Sequence, residues 1–74
     1  MINCIGRVNK KTADNAIMTY VESERTLSWA ITEVRYSSVR GLALLEVFAR
    51  TKKTHGETAR YKEIYSACKV LKWL

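Results

Sequence analysis

The chain has 74 residues, 13 Lys and Arg against 7 Asp and Glu, a net charge of +6, and an apolar share of 47%. A chain of this length buries only about 60% of the surface it exposes when unfolded, so one small domain is expected and a large multi-domain enzyme is excluded. Two cysteines are too few for a disulfide scaffold, and no stretch approaches the ~20 apolar residues of a membrane helix.

Taken in chain order, the first half reads as strands. Ile2, Cys4 and Val8 share one face of an alternating segment, with Gly6 as a bulge or a close approach. Residues 9–15 are rich in Lys, Thr, Asp and Asn and read as a loop. Residues 17–22 alternate weakly, and the polar run from Glu22 to Arg25 suits a hairpin turn. Leu27, Trp29 and Ile31 against Ser28, Ala30 and Thr32 give the clearest period of two. The phase slips at Glu33, which suggests a bulge before Val34 and Tyr36.

The period then changes. Ser37 and Ser38 suit a helix start, because a Ser oxygen takes up an orphan backbone N–H. Over residues 39–53, Leu42, Leu44, Leu45, Val47, Phe48 and Ala49 fill a wide arc at helical spacing. Glu46, Arg50 and Lys53 form the single solvated stripe. Thr54 to Glu57 matches a capping box that opens a second helix, along which Tyr61, Ile64, Tyr65, Cys68 and Leu71 recur. The expected fold is α+β: a three-stranded antiparallel sheet, a helix packed across it, and a C-terminal helix. A strand plus a short helix is the competing reading of residues 60–74.

The segments YSSVRGLALLEVF, from Tyr36 to Phe48, and KEIYSACKVLKWL, from Lys62 to Leu74, follow these strands. In that order they resemble the middle of a ribonuclease H-like domain. The resemblance implies three antiparallel strands and a helix opened by small polar residues. It also puts the family's metal-binding acids at Gly41 and Ala67, and none near residues 4–6. Two-metal hydrolysis needs carboxylates to hold its cations, so the resemblance implies a reduced, non-catalytic version of that domain.

The residues agree that no catalytic set is present. No Gly-rich phosphate loop, G-x-S-x-G or H-E-x-x-H occurs, and no cofactor is expected. His55 is the single imidazole and reads as an exposed residue in a turn. Asn3, Gly6 and Arg7 interrupt the start, which does not read as a targeting segment. A cytoplasmic location is therefore expected, where Cys4 and Cys68 read as buried free thiols.

The excess positive charge points to a polyanion, RNA or DNA, or to an acidic protein surface. Lys10, Lys11, Arg35, Arg40, Lys52 and Lys53 are the candidate phosphate contacts. Tyr36 beside Arg35, and Tyr20 with Arg25, read as surface aromatics, and Trp29 as core. Tyr65, Trp73 and Leu74 are candidate protein-interface residues, including for a homodimer, since Trp is enriched at binding hot spots. Trp73 has a second reading as a core staple. The expected function is non-catalytic binding of nucleic acid, with inhibition or assistance of a nucleic-acid-handling enzyme as the alternative.

Overall fold

A computed structural model describes residues 4–74, and the side chains of residues 10–74. The described residues form four helices: α1 (Cys4–Glu22), α2 (Leu27–Ser37), α3 (Leu42–His55) and α4 (Ala59–Val70). There is no strand among them, which corrects the α+β expectation. The predicted strands at residues 4–8 and 17–22, and the predicted loop between them, are all α1. Ile2 lies outside the described residues. The strand from Leu27 to Tyr36, with its bulge at Glu33, is α2. The sheet that the ribonuclease H-like resemblance implies is therefore absent from these residues.

The physical reason lies in the alanines. Ala13, Ala16, Ile17 and Tyr20 are all buried, at i, i+3, i+4 and i+7, the stripe one helix face presents. In α2 the same spacing joins Leu27, Ala30, Ile31 and Val34. Ala30 and Val34 are fully buried there, with Leu27 and Ile31 packed on the core. The small Ala13 and Ala16 let neighbouring helices come close to α1, which packs along both α2 and α3, while α4 closes against all three.

Each turn has its own chemistry. The Thr26 hydroxyl caps α2 by accepting from Trp29 N at 3.1 Å. The polar run from Glu22 to Arg25 is thus a connection between helices rather than a hairpin. Ser37 and Ser38 end α2 instead of starting α3: Ser38 is left-handed at φ 61, and its N–H returns to the Arg35 carbonyl. Gly41 precedes α3 at φ 63, ψ −133, backbone that a side chain rarely tolerates. Its N–H donates to the Trp73 carbonyl at 2.8 Å, which ties the C-terminal tail to this corner. The predicted capping box at Thr54 is not used. Gly56 terminates α3, and Thr58 caps α4 by accepting from Tyr61 N at 3.1 Å.

The two helices expected in the second half are present. Leu44, Val47, Phe48 and Thr51 line the buried face of α3, and Tyr61, Ile64 and Cys68 that of α4. The strand alternative for residues 60–74 falls away. The apolar arc of α3 is narrower than expected, because Leu42 is 83% exposed. Phe48 meets Tyr61 and Tyr65 edge-on, with centroids 5.8 and 5.1 Å away.

Candidate nucleic-acid interface

The α1 and α3 helices run side by side in the same direction, as two cross-links show. Lys10 of α1 pairs with Glu46 early in α3, and Glu22 at the end of α1 meets His55 Nε2 at the end of α3, at 3.0 Å. Between these pairs lies a cleft of about 400 Å³, lined by Lys10, Lys11, Asp14, Asn15, Val47 and Arg50. Helical spacing creates it. Lys10, Lys11, Asp14 and Asn15 lie at i, i+1, i+4 and i+5 on α1, and Val47 and Arg50 are one turn apart on α3.

Electrostatically the cleft is mixed, with a cationic excess. Glu46 occupies Lys10, while Lys11 and Arg50 make no ion pair among the described residues. One oxygen of Asp14, Oδ1, is buried and has no hydrogen-bond partner among the described residues. A buried acceptor left without a donor is costly, and such atoms in folded proteins are few.

A second groove, of about 290 Å³, opens on the other flank of α1 and is lined by Thr12, Asn15, Ala16, Thr19, Arg25, Trp29 and Glu33. Asn15 borders both. Trp29 is only partly buried, and the Arg25 guanidinium lies over its ring, 4.8 Å from the centroid. Cations thus line one flank of α1, and an Arg-capped indole of α2 borders the other.

The six predicted phosphate contacts divide. Lys10 and Lys11 share the cleft. Lys53 stands one turn beyond Arg50 on the same exposed stripe of α3, and Lys52 pairs with Glu57 at 3.2 Å. Arg35 and Arg40 do not line the cleft. Arg40 lies over the Trp73 ring at 4.2 Å and donates from Nη1 to the Val39 carbonyl at 2.8 Å, so it serves the α2–α3 corner. Arg50 was read only as part of a solvated stripe. Its signal was its register with Glu46, which Lys10 reaches from α1.

No protein-family model matches the chain, and no similar curated protein or solved structure is found.

The aromatic readings also divide. Tyr36 is 85% exposed, as expected of a surface ring, but Tyr20 is only 2% exposed. Its hydroxyl donates to Glu63 at 2.6 Å, and Arg60 covers its ring at 4.2 Å. Burial, and then the bond to Glu63, push the Tyr20 phenol above its usual range. Of the predicted protein-interface residues, Tyr65 stacks on Tyr61 at 6.0 Å, and Trp73 and Leu74 pack half-buried against the core. The more exposed apolar side chains near them are Leu42, Val70 and Leu71. Cys68 is a buried free thiol, and Cys4's side chain lies outside the described ones. His55 is half-buried at the end of α3, facing Glu22.

Among the described residues no three His, Cys, Asp or Glu side chains gather to hold a metal ion. None of the described helices is long and apolar enough to cross a membrane.

Proposed function

We propose that this protein binds nucleic acid without catalysis, through the face of α1 that borders α3. The observation that carries the reading is the convergence of Lys10, Lys11 and Arg50 on one cleft, with Lys53 continuing the cationic stripe. Phosphate contacts of this kind release counterions, so affinity falls as salt rises, by roughly 0.7 in log–log slope per phosphate on a single strand. The groove on the other flank of α1 adds the Arg25 guanidinium, which lies over the Trp29 ring of α2.

The test is charge reversal. Lys11→Glu with Arg50→Glu should weaken binding and reduce the salt slope by about 1.4, two phosphates' worth. Arg35→Glu, outside the cleft, should do much less. Equal effects from both changes would refute the assignment of the cleft.

A second reading has its own observation. Leu42 and Val70 are 83% and 76% exposed, and the Gly41–Trp73 hydrogen bond brings the start of α3 to the end of α4. A protein partner, or a second copy, would cover such residues. If so, Leu42→Asp should release that partner or convert a dimer to monomer in light scattering, while leaving nucleic-acid binding intact.

A further inference from the structure

The short connection 38–41 sets the end of α2 beside the start of α3, and the Gly41 N–H meets the Trp73 carbonyl beyond the end of α4 at 2.8 Å. With α1 parallel to α3, the starts of α1 and α3 and the ends of α2 and α4 share one end of the molecule. Every large apolar side chain left exposed among the described residues lies at that end: Tyr36, Leu42, Leu45, Val70 and Leu71. Arg35, Arg40, Lys69 and Lys72 stand exposed around them, and none makes an ion pair among the described residues. Glu33 and Glu46 sit a turn further in, where Lys10 holds Glu46. Glu22, Glu24, Glu57 and Glu63 lie at the opposite end and offset most of the basic residues there. The excess positive charge and the exposed apolar surface therefore coincide.

We propose that this end docks on an anionic lipid bilayer, lying in the headgroup region without spanning it. Cations set around aliphatic and aromatic side chains match such a surface: the apolar groups enter the boundary of the acyl chains while the charges stay among the anionic headgroups. The long stems of Arg35, Arg40, Lys69 and Lys72 let both happen together. A second copy fits worse, because two such ends carry like charge. A protein partner needs a fitted pocket for each projecting side chain. Tyr36, Leu42 and Val70 are 85%, 83% and 76% exposed and line neither cleft, whereas a bilayer yields to each of them separately. The surface goes beyond the nucleic-acid reading and uses none of the residues of the α1/α3 cleft.

The experiment is co-sedimentation of the full chain with vesicles of phosphatidylcholine alone and of phosphatidylcholine with about one third phosphatidylserine. The chain should sediment with the anionic vesicles only, and less as salt rises. Lys69→Glu should weaken that binding at least about fivefold, the worth of one cation near an anionic surface. Lys62→Glu, the same change two turns back on the exposed side of α4, should do much less. Leu42→Ser with Val70→Ser keeps the charge and should weaken binding at least about tenfold through lost apolar burial. Both side chains are exposed, so the fold should persist, which circular dichroism checks. The comparison of the two lipids needs no variant. Equal sedimentation with both lipids, equal effects of Lys69→Glu and Lys62→Glu, or binding unchanged by Leu42→Ser with Val70→Ser would each overturn the proposal. No sedimentation with the anionic vesicles at about 50 mM salt, where screening is weak, would overturn it as well and leave this end to a protein partner. None of these outcomes bears on the cleft, whose own test uses Lys11 and Arg50.

Discussion

Raising the pH should loosen this domain through one buried thiol. Cys68 is 0% exposed, on the buried face of α4. Burial pushes its thiol from 9.0 up to about 11, against a smaller lowering by the nearby Arg40 charge. The folded state therefore resists forming the thiolate that the unfolded chain forms readily. Stability from this source is fully present below pH 9 and is lost as pH climbs toward 11. At 1.36 kcal/mol per pH unit the full loss is about 2.7 kcal/mol, and about half of it is reached by pH 10. A domain of this length holds only roughly 4–11 kcal/mol in total, so the loss is measurable. Urea unfolding at pH 8 and pH 10 gives the difference directly. Cys68→Ala removes the titrating group, and its stability should fall less between the two pH values, by about 1.4 kcal/mol. The same burial should make the native thiol slow to alkylate at pH 8. Equal losses for the wild type and Cys68→Ala, or rapid alkylation mapped to Cys68 in the folded chain, would refute the reasoning.

Other perturbations test the helix ends and the link between α1 and α4. Lys72 is left-handed at φ 64, where its N–H returns to Lys69 and that of Trp73 to Cys68. Glycine suits that position, so Lys72→Gly should stabilise by about 1 kcal/mol in urea melts. α1 carries no basic residue in its last turn. Arg60 of α4 serves instead, donating to the Tyr20 carbonyl from Nε at 2.7 Å and to the Arg25 carbonyl. Arg60→Ala should cost about 1–3 kcal/mol by leaving those carbonyls and the ring uncovered. Tyr20→Phe loses only the bond to the exposed Glu63 and should cost about 1 kcal/mol. It should also remove part of the high-pH instability, because the raised Tyr20 phenol contributes stability that is present below pH 10 and lost above it.

The second half of the fold was legible because its large side chains recur at helical spacing. Leu44, Val47 and Phe48, then Tyr61, Ile64 and Cys68, mark their buried faces without help. The first half was not legible, because its helical stripe is written in small residues. Ala13, Ala16 and Ala30 are core yet carry little hydrophobic signal. With Ala30 set aside, Leu27, Trp29 and Ile31 imitate a strand. Residues 9–15 imitate a loop for the same reason, although they lie within α1 and Ala13 among them is core. The candidate site was half legible. Lys10 and Lys11 stood out as a doublet. Arg50 and Asp14 joined them only once α1 and α3 were known to lie side by side, a relation that no spacing along the chain encodes.

On the proposed function, the charge of this protein acts at the cleft between α1 and α3. The most direct test is the salt dependence of oligonucleotide binding for the wild type and for Lys11→Glu with Arg50→Glu, from about 50 to 200 mM. Saturable binding with a steep slope, which flattens by about 1.4 in the double reversal, is the predicted result. Binding of the same strength and slope in both proteins would contradict it.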